Sequence, residues 1–180
     1  NERYFYTGRE NMLHNGEIYV PISPLCKALS ATFTYNQSNS TFYVKSGDTR
    51  RLQWGSQVYR DDHVYWLARI IFAESRGEPM KGKIAVGNVV LNRVKSSGYP
   101  NTIYGVIFDR KYGVQFSPVL NGTIYNTPSY ESTLAAKICL EGFNISEGAL
   151  FFLHPEISTS HWIPNTRPYL FSIGHHDFYG

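Results

Sequence analysis

Apolar residues recur at helical spacing in three stretches of the chain after residue 62. In residues 63–76 they occupy nearly every side of the helix, which is typical of a buried central helix. Residues 80–97 keep an apolar stripe on one side, and Pro79 suits the first turn of this helix. A third helix is predicted over residues 127–142, capped by the Thr-Pro pair that opens it. The first two stripes consist of Val64, Leu67 and Ile71, and of Ile84, Gly87, Leu91 and Val94.

After the third helix the pattern changes to that of strands. Residues 149–153 are a short continuous apolar run, and residues 169–173 are predicted to be its hairpin partner across a proline-rich turn. Helices that precede strands predict an α+β fold, with the helices first and a short β-hairpin later. Gly, Pro, Asn and Tyr are abundant over residues 99–126, where a binding site could be built on loops.

The first 50 residues differ from the rest in their sequence pattern, which predicts short strands, turns and one short helix. A turn at Asn15 and Gly16 precedes a predicted strand over residues 18–22, and Ser23 and Pro24 open a short helix over 25–29. Residues 32–35 and 41–44 predict a hairpin, and a turn is expected at 47–49. We therefore divide the chain into a small module at 1–50, a linker at 51–64 and a main domain at 65–180.

Composition excludes several classes of protein. Hydrophobic residues make up 42% of the 180-residue chain, which is enough to bury a core, so the chain is not disordered as a whole. No apolar run approaches the ~20 residues that a bilayer span requires. The net charge of +3 is spread thinly and forms no basic cluster, so a nucleic-acid partner is not expected.

Cys26 and Cys139 are the two cysteines, far apart in the sequence and expected in different modules. We expect two buried free thiols rather than a disulfide, and Cys139 lies in an apolar helical context unsuited to a reactive thiolate. No G-x-S-x-G element or glycine-rich phosphate loop is present in the sequence.

Glu74 falls in the last turn of the strongly apolar helix over 63–76. Burial and the negative end of the helix dipole both disfavour the charged carboxylate, and both therefore raise its pKa. A carboxyl that is protonated at neutral pH can act as a general acid on a glycosidic oxygen. The alternative is a structural glutamate paired with Arg76 or Arg93.

A family resemblance begins at the same residues. The segment AESRGEPMKGKIAVGNVVLNRV (73–94) resembles the signature of the SleB/CwlJ-type bacterial cell-wall hydrolases, the spore cortex-lytic enzymes. Further matching segments follow in the same order: QFSPVLNGTIY (115–125), AAKICLEG (135–142), ALFFLHP (149–155), SHW (160–162) and GHHDFY (174–179). Together they cover nearly all of residues 65–179.

This resemblance implies a fold related to lysozyme and lytic transglycosylases, and peptidoglycan rich in muramic-δ-lactam as the substrate. It also implies that Glu74, the first glutamate of the E-x-x-G-E element, is the catalytic acid. A lytic transglycosylase needs a single carboxyl, whereas most glycosidases use two. The scheme requires no metal or other cofactor.

Glu78 is the obvious second carboxylate, one turn beyond Glu74 if the helix continued. Gly77 and Pro79 indicate that the helix ends, so Glu78 is expected to start the next helix, where the dipole favours its charge. The family motif still leaves it a supporting role. A hydrolytic muramidase or glucosaminidase that uses Glu74 and Glu78 is therefore an alternative.

Other side chains are candidates for binding or supporting the substrate. Aromatic rings could stack on sugars, although they could equally fill the core, and polar residues in the loop region suit contacts to hydroxyl and N-acetyl groups. Arg76 and Arg93 could orient Glu74 or a substrate carboxylate, and His176 matches the family's closing H-x-F-Y element. The aromatic candidates are Phe116, Tyr125, Trp162 and Tyr169, and the polar ones are Gln115 and Ser117.

Four of the six histidines come late in the chain, at His154, His161, His175 and His176. A zinc amidase or peptidase built on them is an alternative, but H-E-x-x-H is absent from the sequence and no metal site is expected. A non-catalytic wall-binding protein that kept the fold is a further alternative.

The segment YVPISPLCKALSATFTYNQSNSTFYV (19–44) resembles the small module at the N-terminus of copper amine oxidases, also found beside secreted bacterial wall enzymes. This resemblance implies a docking, spacer or wall-binding module and says nothing about copper. The chain begins at Asn1 rather than Met, so we expect a processed or trimmed form whose export signal is gone. The expected location is secreted, in the bacterial wall or the spore cortex or coat, with an accessory germination protein as a further partner.

Overall fold

The chain divides into two units, Asn1–Val58 and Tyr59–Gly180. A computed structural model describes residues 3–8, 11–47, 53–159 and 161–180. The predicted turn at 47–49 and the start of the predicted linker lie partly outside these described residues. The assignment of 1–50 as a docking module and of 51–64 as a linker stays a prediction.

The described residues of the first unit form two hairpins and two short helices. Its elements are β1 (Met12–His14), β2 (Glu17–Tyr19), α1 (Ile22–Ala28), β3 (Thr32–Asn36), β4 (Thr41–Lys45) and α2 (Gly55–Val58). The predicted hairpin at 32–35 and 41–44 is confirmed as β3 and β4. The strand predicted over 18–22 is wrong in its extent: it ends at Tyr19, because α1 begins at Ile22, directly after Pro21. Among the described residues of this unit, Cys26 is the only apolar side chain that is buried.

The second unit is mostly helical up to residue 140 and then forms a sheet. Its helices are α3 (Asp61–Ser75), α4 (Met80–Lys95), α5 (Ile103–Ile107), α6 (Ser117–Asn121), α7 (Tyr130–Leu140) and α8 (Trp162–Thr166), with a 3-10 turn at Thr123–Tyr125. Its strands are β5 (Phe151–Leu153), β6 (Tyr169–Ile173) and β7 (His176–Tyr179). The predicted α+β class, with helices first, is confirmed.

The core of this unit lies where α3, α4 and α7 pack against one another. Gly87 of α4 is the point of closest approach, since a Cβ there would lie 2.8 Å from both Ile71 Cδ1 and Cys139 Sγ. The sequence pattern predicts this close approach because Gly87 falls within the apolar stripe. Cys26 and Cys139 are both buried and free, as expected. Burial raises the pKa of the Cys139 thiol, which its apolar surroundings keep protonated.

Helix α7 begins later than the sequence indicates. Ser129 is the N-cap, and its hydroxyl accepts a hydrogen bond of 3.1 Å from the backbone N–H of Ser132. The predicted cap at Thr127 is therefore wrong by two residues, because Ser129 supplies the oxygen that the free N–H groups need.

The sheet has the order β5-β7-β6, with both pairs antiparallel. The predicted pairing of residues 149–153 with 169–173 is wrong, because β7 lies between these two strands. Gly174 turns the chain from β6 into β7, which leaves the other edge of β7 for β5. The segment between β5 and β6 is not a simple turn, since it contains α8.

Polar side chains of α4 attach the segment before β5 to the helix. Asn88 accepts from the backbone N–H of Ile145 at 2.9 Å, and the Asn92 amide donates to the carbonyls of Ser146 (2.8 Å) and Ala149 (2.9 Å). These bonds satisfy backbone groups that would otherwise be buried without partners, and they fix where β5 starts. No helix within the described ranges combines the length and apolarity that a bilayer crossing demands.

Candidate active site

Glu74 is the penultimate residue of α3 and lines a cavity of about 380 Å³. The other walls come from four places: Arg93 of α4, residues 114–117, strand β5, and a segment with Ser158, Trp162 and Ile163. Among the described residues that line this cavity, Glu74 carries the only carboxyl group. The end of the buried helix therefore presents one acid to a cavity that is otherwise lined by apolar and aromatic side chains, one arginine, one amide and two serines.

The protonation of Glu74 is set mainly by its burial. Burial raises the pKa of Glu74 to about 7, while the positive charge of Arg93 lowers it. The carboxyl is consequently present in both protonation states near neutral pH. A group in this condition is suited to give up a proton and to take one back during a reaction.

Arg93 is buried beside Glu74 and held by several contacts. Its Nε donates to the carbonyl of Leu150 at 2.7 Å, directly before β5. Its guanidinium carbon lies 5.0, 5.1 and 5.4 Å from the ring centroids of Tyr99, Phe116 and Phe151. The same side chain thus joins α4 to the strand that forms one wall of the cavity.

A second cavity of about 660 Å³ shares Gln115, Phe151 and Trp162 with the first. It is further lined by Gly98, Tyr99, Asp109, Tyr112 and Arg167. Trp162 is 52% exposed, and the Arg167 guanidinium lies 5.2 Å from its ring centroid. The two cavities form one extended groove whose shared wall is aromatic, a surface suited to the apolar faces of sugar rings.

Glu78 lies away from this groove and is bound to the turn between β6 and β7. One of its carboxylate oxygens accepts from the backbone N–H of His175 at 3.1 Å, and the other lies 3.0 Å from His175 Nδ1. Burial acts to raise the pKa of Glu78, but the two bonds from His175 and the charges of His176 and His175 outweigh it and lower the pKa. Glu78 is therefore a structural anion that holds the turn against the start of α4.

Three of the four late histidines come together near Glu78. The rings of His154 and His175 are stacked at 5.3 Å between centroids, and His176 is buried 6.1 Å from His154. Burial is the main cause that lowers the pKa of His176. Across the ranges that the structure describes, no group of three or more His, Cys, Asp or Glu side chains converges as a metal site would require.

The structure brings together six of the residues that the sequence singles out. Glu74, Arg93, Gln115, Phe116, Ser117 and Trp162 line the Glu74 cavity. The others lie outside its lining. Arg76 is exposed at the end of α3, Tyr125 is exposed with its ring near Trp66, and Tyr169 is exposed on β6 near Tyr179. His176 reaches the cavity only indirectly, through a ring contact of 5.3 Å with Phe152.

Several residues that line the two cavities are not identified as candidates by the sequence. Phe151 and Phe152 belong to a continuous apolar run whose residues are indistinguishable from core by pattern alone. Arg167 and Tyr112 lie in irregular segments that reach the groove through tertiary packing.

Comparison with known proteins places this geometry in a family. Residues 77–179 match the family described as Cell Wall Hydrolase. A spore cortex-lytic enzyme of Bacillus cereus is 39% identical over 120 residues, which are 67% of this chain and 45% of that protein. A spore cortex-lytic enzyme of Bacillus subtilis is 36% identical over 120 residues, covering 67% of this chain and 38% of that protein. The chain thus spans less than half the length of these relatives.

Solved structures agree with the fold. The catalytic domain of the germination-specific lytic transglycosylase SleB from Bacillus anthracis superimposes with a TM-score of 0.62 at 38% identity, covering 68% of this chain and 97% of that one. The catalytic domain of the Bacillus cereus SleB protein gives a TM-score of 0.60 at 38% identity, covering 68% and 92%. The second unit accordingly has the lysozyme-like α+β fold of these domains, and the chain belongs to the cell wall hydrolase family.

Proposed function

We propose that this protein cleaves the glycan strands of peptidoglycan as a lytic transglycosylase, with Glu74 as both the acid and the base. The observation that carries the proposal is the Glu74 carboxyl, with a pKa raised to about 7, which is the only carboxyl among the described residues lining its own cavity of the aromatic groove. The likeness to the catalytic domain of a lytic transglycosylase at 38% identity supports it.

The reaction has two proton transfers through one group. Protonated Glu74 donates to the oxygen that joins N-acetylmuramic acid to N-acetylglucosamine, and the bond between that oxygen and C1 breaks. The Glu74 carboxylate then takes the proton of the C6 hydroxyl as its oxygen bonds to C1. The products are one fragment with a free N-acetylglucosamine hydroxyl at its new non-reducing end and one fragment that ends in a 1,6-anhydro-muramic ring, and Glu74 regains its proton. Water is not consumed.

The groove positions the glycan strand. Trp162 and Phe151 border both cavities, so adjacent sugars are expected to lie along this shared wall. Gln115 and Ser117 offer an amide and a hydroxyl at the same place, suited to N-acetyl and hydroxyl contacts. A glycan strand seated on the rings of Trp162 and Phe151 would displace water from the neighbourhood of Glu74, which would strengthen the charge interactions there.

Hydrolysis with Glu78 as the second carboxylate is less well supported. Both Glu78 oxygens are bound at His175, and Glu78 does not border the Glu74 cavity. A base in an inverting glycosidase must reach a water opposite the acid, and a retaining nucleophile must reach C1. Glu78 is engaged elsewhere and is suited to neither position.

The cortex of bacterial spores is the substrate that the names of the relatives suggest. Two of them are spore cortex-lytic enzymes, and one solved relative is described as germination-specific. We accordingly place the protein outside the cytoplasm, acting on cortex peptidoglycan during germination. The unit Asn1–Val58 would serve as a docking or wall-binding module, and an accessory germination protein would be a further partner.

The test is mass spectrometry of muropeptides released from purified cortex peptidoglycan by the wild type, Glu74→Gln and Glu78→Gln. We expect anhydro-muramic ends from the wild type and from Glu78→Gln, and a loss of about 1,000-fold or more in Glu74→Gln. Lys81→Gln, which removes an exposed charge from α4, is the control.

Each contrary outcome points to a different alternative. Reducing muramic ends would replace transglycosylation by hydrolysis. Products that Glu74→Gln leaves unchanged would overturn the assignment of Glu74. Activity that a chelator abolishes would favour the zinc amidase. Sedimentation with the wall without any cleavage would favour a binding protein.

A further inference from the structure

Arg93 is buried in the wall of the Glu74 cavity, and nothing in the proposed reaction yet uses it. We propose that Arg93 is a positioning residue for the acid: its fixed positive charge stabilises the negative charge that forms on Glu74 as the proton leaves. This inference rests on the proposed function of Glu74, and it adds a second group to a reaction that otherwise uses one.

The geometry of Arg93 is that of a preorganised charge. It is only 5% exposed, and its Nε bond to Leu150 together with three aromatic rings fixes the guanidinium plane. Its Nη1 is buried and has no hydrogen-bond partner among the described residues. A side chain held in this way does not have to reorganise when charge appears nearby, so its full effect is available during the reaction.

The groups that face Arg93 come from every neighbouring element. Tyr99, which follows α4, and Asp109, which follows α5, interact with its charge, as does Glu74 of α3. Arg167 also lies against the Phe151 ring, 4.7 Å from its centroid. Of these groups, only Glu74 and Arg93 line the smaller cavity, so Glu74 is the anion that shares its site with the guanidinium.

The effect on Glu74 follows from two opposing influences. Burial alone would make the carboxyl a weak acid that releases its proton slowly. The charge of Arg93 opposes burial and leaves the pKa at about 7. Without this charge the acid would be weaker, and the carboxylate left behind after proton transfer would be less stable. Removal of the Arg93 charge would therefore destabilise the transition state and lower kcat, while substrate binding would be little affected.

The test uses the full chain with Arg93→Met, Arg93→Gln and Arg93→Lys. Methionine fills the space between the rings and glutamine keeps a donor for Leu150, so the loss of charge is examined in two different side-chain shapes. Lys95→Gln removes an exposed charge from the same helix and is the matched control. Thermal unfolding of each variant identifies those that are folded.

Two quantities are measured on the folded variants. The first is the pKa of Glu74, from ¹³C-carboxyl NMR with Glu74→Gln used for assignment. The second is the release of anhydro-muropeptides as a function of pH. In Arg93→Met and Arg93→Gln we expect the pKa of Glu74 and the alkaline limb of activity to move up by about one pH unit. We also expect kcat to fall about 10- to 100-fold with KM nearly unchanged.

Arg93→Lys keeps the charge and is expected to restore most of kcat and the position of the alkaline limb. An unchanged or lower pKa of Glu74 in a folded, uncharged variant would overturn the inference, as would a loss confined to KM. Arg93→Lys behaving like Arg93→Met would overturn it too. Because the NMR titration needs no substrate, failure of this inference is separable from failure of the proposed function, which would leave the wild type without anhydro products.

Discussion

Glu74 and Glu78 lie four residues apart, but their surroundings move their pKa values in opposite directions. Burial raises the pKa of Glu74, whereas bonds from His175 outweigh burial and lower the pKa of Glu78. Two identical side chains thereby become a proton donor and a permanent anion. The break between α3 and α4, which includes Gly77 and Pro79, separates their environments.

A protonatable glutamate in this position costs stability at high pH. The pKa of Glu74 is raised from an ordinary value of 4.5 to about 7, so the folded state holds a proton that the unfolded state has released between these values. The free energy of unfolding therefore falls by about 3 kcal/mol as pH rises from 4.5 to 7, and this contribution stays constant at higher pH. We expect Glu74→Gln to be more stable than the wild type by about this amount at pH 8, but not at pH 4.

Urea unfolding followed by circular dichroism at the two pH values measures this difference. A Glu74→Gln variant that is equally stabilised at pH 4 and pH 8 would show that titration of this carboxyl is not the cause.

Glu78→Gln is expected to destabilise the fold without altering the chemistry. The amide cannot accept both bonds from His175, so the free energy of unfolding should fall by about 1–3 kcal/mol at pH 7. Because the pKa of Glu78 is lowered in the folded state, its carboxylate contributes stability above the ordinary value of 4.5. That contribution is lost as pH falls through the folded pKa. In denaturant titrations, the difference in free energy of unfolding between wild type and Glu78→Gln should therefore be larger at pH 7 than at pH 3. The same difference at both pH values would contradict this explanation.

The candidate site could be predicted from the sequence only in part. Glu74 could be found because it is a lone acid in a strongly apolar helix, and the family motif begins there. Phe151 and Arg167 could not, because nothing local distinguishes a groove ring from a core ring, or a groove arginine from a surface arginine. Tyr125 and Tyr169 illustrate the reverse, since exposed aromatic residues suited to sugars lie outside the lining of the Glu74 cavity.

At the scale of elements, the turn between β6 and β7 depends on one glycine. Gly174 has a φ of +59°, and a Cβ there would overlap Oε2 of Glu78. Glycine is thus needed both for the backbone conformation and for the approach of the carboxylate. The turn places β7 in the centre of the sheet, and β7 in turn aligns β5 along the groove.

We expect Gly174→Ala to lower the free energy of unfolding by about 2–4 kcal/mol, the sum of a left-handed backbone and an overpacked contact. Gly142 has a φ of +87° with no atom within 4 Å of its ideal Cβ, so Gly142→Ala isolates the backbone effect. Its cost should be about 1–2 kcal/mol. Chemical denaturation of both variants checks the difference.

A double-mutant cycle separates the steric overlap with Glu78 from the backbone strain at position 174. In a Glu78→Ala background, the cost of Gly174→Ala should fall towards that of Gly142→Ala, because the carboxylate is gone and only the contact with Pro79 Cδ at 3.2 Å remains. Equal costs of Gly174→Ala with and without Glu78 would show that the overlap is relieved in some other way.

Helices and sheet differ in how far the sequence determines them. The extents of α3 and α4 follow from local information, namely an apolar period, a glycine stop and a proline start. Strand pairing is not local. Residues 149–153 and 169–173 are short apolar runs, whereas 176–179 mixes polar and aromatic residues, and yet it is 176–179 that pairs with both of the others after the turn at Gly174.

At the scale of the whole molecule, the buried apolar side chains are concentrated in one unit. Among the described residues of Asn1–Val58, only Cys26 contributes such a side chain, whereas Tyr59–Gly180 holds the helical core and the sheet. Two-stranded hairpins without a covering layer are marginal in water. The stability of the protein therefore resides in the second unit.

We expect a fragment of residues 59–180 to fold on its own, with a Tm within about 5 °C of the main transition of the full chain. It should release the same anhydro products from soluble cortex fragments at a similar kcat, and bind intact wall less well if the first unit docks there. Calorimetry and product analysis test both points. A fragment that is unfolded or inactive would show that the first unit is part of the catalytic fold.

The two cysteines offer a different view of the same division. Each unit contains one thiol, and both thiols are buried, so neither can react with a thiol reagent until its own surroundings open. Cys139 donates to the Ile84 carbonyl at 3.4 Å where α4 and α7 meet, and its modification therefore requires these helices to separate. The rates at which Cys26 and Cys139 are labelled under native conditions would therefore report separately on the local opening of the two units.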